Sequence, residues 1–180
     1  MEAFIGFDIS LKSTHVCVVD SEGEIMQEGV VPSDVSALDI WLRMHCKRWA
    51  IKRIVFETGQ LSTHFYHGLR PSWPVTCIDA RHAHGTLKAQ RIKTDKNDAR
   101  GLAQIARTGW YKATHVKSNS GQALRALVGG RKQLVAIRMG MENHIRGTLK
   151  TFGIKLGSVT SAAFAVKVKS GLAGKDPLVK

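Results

Sequence analysis

The chain has 180 residues, 43% of them hydrophobic, and a formal net charge of +13. That is enough apolar material for one buried core with an appendage, which excludes a wholly disordered chain, and the basic excess points to a polyanion as partner. Three cysteines without a Cys-x-x-Cys pair argue against a disulfide framework or zinc knuckle and for a reducing cytosol, and no apolar run approaches the ~18 residues of a membrane span, so no membrane partner and a cytoplasmic location are expected.

Residues 3–9 alternate as a strand, with Ala3, Ile5, Phe7 and Ile9 on one face and Phe4, Gly6, Asp8 and Ser10 on the other. His15–Asp20 reads as a second strand, Asp20–Gly23 as a turn and Glu24–Val31 as a third strand, together an antiparallel meander. Pro32-Ser33-Asp34 opens a helix with Ser33 as N-cap, and its stripe of Ala37, Leu38, Trp41, Leu42, Met44 and Cys46 carries it to about Trp49. Lys52–Glu57 is a strand parallel to the first, Leu61–Leu69 a short helix and Val75–Asp79 a fifth strand; residues 80–90 have weaker helical character. Thr94 is placed to cap a helix that runs to Thr108 and ends at Gly109. A longer helical segment follows over about Gly121–Phe152, with Leu124, Leu127, Leu134, Ile137, Met141, Ile145 and Leu149 near heptad spacing, although Gly129-Gly130 weakens it. Ser158–Lys180 has some further helical potential.

Charge divides the chain. Residues 1–98 hold 12 Lys+Arg and 12 Asp+Glu, whereas residues 99–180 hold 15 Lys+Arg against only Glu142 and Asp176. A neutral α/β domain over 1–115 and a basic helical segment over 116–180 are expected, the latter suited to nucleic acid. The order β-β-β-α-β-α-β-α predicts a ribonuclease-H-like mixed five-stranded sheet with flanking helices.

Four acids stand out against the basic background: Asp8 inside an apolar strand, Glu57 at the end of its parallel neighbour, and Asp95 and Asp98 one turn apart at a helix start. Aspartate is depleted in strands, and an unpaired buried carboxylate is costly, so Asp8 is the hardest to dismiss as incidental. Carboxylates are the usual protein ligands of Mg2+ or Mn2+, and phosphodiester cleavage benefits from two such ions held by converging acids. Each acid also has a structural reading. Asp95 and Asp98 suit the helix macrodipole, and Glu57 suits a solvated strand end. Arg91, Lys93, Lys96 and Arg100 surround the last pair and either hold phosphates or offset the acids. Arg131, Lys132, Arg138 and Arg146 are the candidate nucleic-acid ligands of the basic segment. Trp73 and Trp110 read as core packing, with base stacking as the other reading. The pairs His64/His67 and His82/His84 lack the partners that a zinc site needs.

Three motifs carry a family resemblance: Gly6-Phe-Asp-Ile-Ser10, Phe56-Glu-Thr-Gly59 and, above all, Arg91-Ile-Lys-Thr-Asp-Lys-Asn-Asp-Ala-Arg100. With Glu142-Asn-His-Ile-Arg-Gly147 inside Arg138–Gly153, residues 3–155 resemble the N-terminal part of the Asp-Glu-Asp-Asp transposases of the "one-ten" insertion-sequence family, relatives of the Piv-type DNA invertases. The resemblance implies a RuvC-like domain with Asp8, Glu57, Asp95 and Asp98 as a Mg2+ or Mn2+ tetrad. It further implies DNA as substrate and a structured guide RNA as partner in transposition. A homo-oligomer through the helical segment is expected. Members of that family continue into a second domain with a serine nucleophile, so a chain ending at Lys180 is expected to be a fragment. Two other readings stay open: a nucleic-acid-binding module without chemistry, and a sugar-kinase or actin-like ATPase. The second needs a Gly-rich phosphate loop after the first Asp, where this chain has Ile9.

Overall fold

The computed structural model of the protein describes residues 1–81, 83 and 94–174. Two compact units make up the chain, Met1–Asn119 and Ser120–Lys180. In the first unit β1 (Glu2–Ile9), β2 (Ser13–Val19) and β3 (Ile25–Pro32) form the antiparallel meander. On the other side of β1, β4 (Ala50–Glu57) and then β5 (Val75–Ile78) add in parallel, giving the order β3-β2-β1-β4-β5. The turn between β2 and β3 is built by Asp20, whose Oδ1 accepts the amides of Glu22, Gly23 and Glu24, each at 2.9 Å, with Gly23 at φ 93°.

Strand alternation feeds two layers. Ala3, Ile5 and Phe7 of β1, with Ile54 and Phe56 of β4, are fully buried against Leu38 and Leu42 of α1 (Val35–His45) and Phe65 and Leu69 of α2 (Ser62–Leu69). On the opposite face Phe4, Cys17, Val19 and Val55 meet α3 (Asp95–Thr108), which buries Ala99, Leu102, Ala103, Ile105 and Ala106. Thr94 caps α3 by accepting the Asn97 amide at 3.2 Å, and Gly109 closes it at φ 72°, as the local sequence predicts. Arg53 of β4 anchors its far end, donating to the Ala106 carbonyl at 2.7 Å.

Two expectations for α1 are corrected. Its cap is Asp34 and not Ser33: Asp34 Oδ1 accepts from Ser36 N at 2.9 Å and Ala37 N at 3.0 Å, while the Ser33 hydroxyl is engaged with Thr14 Oγ1 at 2.8 Å. The helix also stops at His45, short of Trp49, which instead packs under the Arg48 guanidinium in the approach to β4. Trp110 is 78% exposed, so its core assignment is wrong; Trp73 is half-buried, with Nε1 donating to Asp39 at 2.7 Å. The weakly helical stretch at 80–90 lies mostly outside the described residues.

In the second unit, α4 (Asn119–Thr151) runs unbroken through Gly129-Gly130 and is followed by α5 (Ser161–Leu172). Leu149, Ile154, Leu156 and Phe164 form a small core there, and Gly153 at φ 73° lets the chain reverse after α4. The earlier apolar side chains of α4 are exposed, Leu124, Leu127 and Leu134 among them.

Candidate active site

The parallel pairing of β1 and β4 brings Phe7 opposite Phe56. The next position on each strand is Asp8 and Glu57. Because Phe7 and Phe56 belong to the layer of α1 and α2, Asp8 and Glu57 project toward the other face, the one covered by α3. Both are half-buried and line one cleft of ≈ 730 Å³ at the C-terminal ends of the strands. Ser10 and Lys12 of the β1–β2 turn, Thr58 and Gln60 after β4, and Leu61 and Ser62 at the start of α2 also line it.

Helix α3 lies across that face at backbone contact. A Cβ on Gly6 would overlap the Ala99 carbonyl and the Ala103 amide, so glycine is what admits the helix here. Asp95 and Asp98 belong to the turn that precedes this contact. Asp95 Oδ2 stands 3.9 Å from Nε2 of His15, and His15 is the cross-strand partner of Asp8. Asp95 is exposed, and Asp98 half-buried. The acids of the sequence motif and the acids of the sheet therefore belong to one side of one sheet. His15 joins them there. Sequence reasoning passed over it, although its place in the second strand of a meander, on the face of Asp8, was the signal available.

The basic candidates separate. Arg91 and Lys93 lie outside the described residues. Arg100 donates to Glu28 through Nε at 2.7 Å and Nη2 at 3.1 Å, and Lys96 Nζ stands 3.0 Å from the same carboxylate. The Arg100 hydrogen bonds, opposed by partial burial and reinforced by Lys96, hold the Glu28 carboxyl below the usual glutamate range. Beneath them Cys17 is fully buried, and desolvation, with the Glu28 charge adding to it, pushes its thiol up to about 12. In the second unit Arg131 and Lys132 are exposed on α4. Arg138 stands 3.7 Å from Glu142, while Arg146 donates to the Gly157 carbonyl at 2.6 Å and covers the Phe164 ring.

The donor chemistry suits a hard divalent cation, since all four candidate acids offer carboxylate oxygen. Among the described residues no three of His, Cys, Asp and Glu stand close enough together to hold an ion. The cleft pair, Asp8 and Glu57, nevertheless fits the commonest mode for Mg2+, which keeps several waters and takes one or two carboxylates plus substrate phosphate oxygens.

A mixed sheet of order β3-β2-β1-β4-β5, three strands antiparallel and two parallel, defines a ribonuclease-H-like α/β fold. The model of the IS110-type DEDD transposase family matches residues 5–154, and the chain belongs to that transposase family. It is 25% identical over 154 residues to the transposase for insertion sequence element IS1111A of Coxiella burnetii, covering 84% of this chain and 40% of that protein. It is 27% identical over 140 residues to y4qE of Sinorhizobium fredii, covering 74% of this chain and 35% of that one. The chain thus spans less than half the length of these curated relatives. Among solved structures, T. thermophilus RuvC in complex with Holliday junction substrate overlaps at a TM-score of 0.47 and 13% identity, covering 63% of this chain and 100% of that chain. No helix among the described residues is long and apolar enough to cross a membrane.

Proposed function

We propose that the first unit is the metal-dependent DNA-cleaving site of an insertion-sequence transposase. The observation that carries this reading is the placement of Asp8 and Glu57 at the ends of adjacent parallel strands, where both line one cleft at the C-terminal edge of the sheet. Asp8 and Glu57 are the central ligands for Mg2+ or Mn2+; Asp95 and Asp98, in the first turn of α3, are the further acids of the proposed set, and they join it only by an approach of that turn to the pair, since no three acids cluster among the described residues. The bound ion supplies Lewis-acid stabilisation of a phosphodiester under attack and of its leaving oxygen. The chain's own residues bind and orient. Ser10 and Lys12 are placed at the cleft wall to meet a phosphate, and half-burial of the carboxylates strengthens their hold on a cation.

The second unit holds nucleic acid through exposed cations such as Arg131 and Lys132, and a structured guide RNA is a partner of the kind this surface suits. Leu127, Leu134 and Met141 recur at seven-residue intervals and are 62–72% exposed, which supports pairing of two copies along α4. The test of the central reading is Mn2+ calorimetry on the 180-residue chain and its Asp8→Asn variant, paired with cleavage assays on DNA. Mn2+ binding that vanishes in Asp8→Asn is expected. Equal binding by both proteins rejects the site, and retention of nucleic acid with no metal binding favours a module without chemistry.

A further inference from the structure

Lys96 and Arg100 sit inside the acidic motif, yet both turn to a residue far away in sequence. Glu28 lies on the edge strand β3 and takes Arg100 in a bidentate pair at 2.7 and 3.1 Å, with Lys96 at 3.0 Å. Such a fork fixes orientation as well as distance. The Glu28 side chain is 24% exposed, so solvent screens the pair less than a surface one.

This pair belongs to a longer row. Lys96, Arg100, Gln104 and Arg107 recur at i, i+4, i+8 and i+11 along one stripe of α3. Gln104 Nε2 donates to the Gly23 carbonyl at 2.7 Å, and Arg107 Nη1 to the Ser21 carbonyl at 3.2 Å. The stripe therefore bonds α3 to the β2–β3 hairpin along its length. The neighbouring buried face mixes Leu102 and Ile105, packed against Val55 and Ile78, with the small side chains Ala99, Ala103 and Ala106, and the part over Gly6, nearest the first turns, is Ala99 and Ala103. Small residues permit close approach but offer few interlocking ridges to fix a helix's rotation or axial position. Directional polar bonds supply that constraint, and the one to Glu28 is nearest Asp95 and Asp98.

We infer that Glu28 is a positioning residue for the acid site: through Arg100 and Lys96 it sets the rotation of the first turns of α3, and with it the direction of Asp95 and Asp98. The inference rests on the carboxylate site proposed above. It assigns Lys96 and Arg100 to this clamp and away from DNA phosphates.

The experiment uses the 180-residue chain. Mn2+ affinity is measured for the wild type, Glu28→Gln, Arg100→Gln, the double variant and Asp8→Asn, with circular dichroism to confirm the fold. Loss of an outer-shell partner costs ~10-fold or more in metal affinity, and that loss is expected in Glu28→Gln and Arg100→Gln. The double variant loses no more than either alone, because the two share one interaction. DNA binding by Lys96→Gln/Arg100→Gln across a salt series keeps the wild-type slope. Wild-type Mn2+ affinity in Glu28→Gln, beside an Asp8→Asn that has lost it, overturns the clamp and leaves the site standing. A salt slope that falls by about 1 per residue removed overturns it too, since it identifies both cations as phosphate contacts. Wild-type affinity in Asp8→Asn brings down site and clamp together. Should Glu28→Gln not fold, Lys96→Gln removes only the more exposed arm; a smaller loss in the same direction supports the clamp, and no loss overturns it.

Discussion

Gly6 of β1 lies beneath Ala99 of α3, so close that a methyl group on Gly6 would overlap the Ala99 carbonyl oxygen and the Ala103 amide nitrogen. The obstruction is main chain and not a flexible side-chain end, so only movement of the whole helix relieves it. Gly6→Ala is expected to destabilise the chain by ~1–3 kcal/mol, the usual cost of overpacking. Urea unfolding with an unchanged denaturant slope checks this. Because Asp8 is two residues along the same face, Mn2+ affinity falls in the same variant.

Glu57 ends β4 and lines the cleft beside Asp8. Glu57→Gln keeps the shape of the side chain and removes the hard anionic donor. Mn2+ affinity is expected to drop ~10-fold or more, no less than the loss typical of outer-shell changes. Unchanged calorimetry contradicts the assignment of Glu57.

Glu28 gives a signed pH response. Its native pKa is depressed, chiefly by the Arg100 hydrogen bonds, so it contributes stability above the unfolded-state value of ~4.3 and loses that contribution as pH falls through the lower native value. Arg100 stays protonated throughout this window, its own pKa raised chiefly by the hydrogen bond to Glu28, and Cys17, beneath the clamp, is neutral there. Acid unfolding of Glu28→Gln is therefore expected to show a shallower fall in stability below about pH 4.3 than the wild type. Matching acid limbs in the two proteins contradict it.

Arg131 and Lys132 stand exposed on α4. If both meet phosphates, Arg131→Gln/Lys132→Gln lowers the salt slope of binding to duplex DNA by ~0.9 for each contact removed. A filter-binding series between low and moderate salt reads this directly.

Gly129 and Gly130 are helical, and a Cβ on either meets nothing within 4 Å. Replacing each with alanine is expected to stabilise α4 by ~1 kcal/mol per site, since alanine loses less backbone entropy and hinders no neighbour. Thermal unfolding followed by circular dichroism measures it.

Where a structural cause was local, the sequence disclosed it. Thr94 and Gly109 bracket α3 because a cap and a left-handed residue act within one turn. The meander and the parallel β4 follow from alternation and from the order of the elements. Asp34 and Ser33 are both competent caps, and what decided between them was Thr14, nineteen residues upstream, engaging the serine hydroxyl. Glu28 carries no local mark at all: its partner Arg100 is 72 residues away, and nothing in a strand of alternating character announces such a bond. Spacing and strand-end positions single out the four acids in the sequence as candidates, whereas His15 emerges only once the register of β1 and β2 is known.

Cys17 sits sealed between the sheet and α3, its sulfur kept in the neutral, unreactive form. Alkylating reagents can reach it only when the helix lifts away, so the rate of its labelling is a clock for that opening. The chain thereby carries an internal gauge of how tightly its motif-bearing helix is seated, readable without any bound ligand.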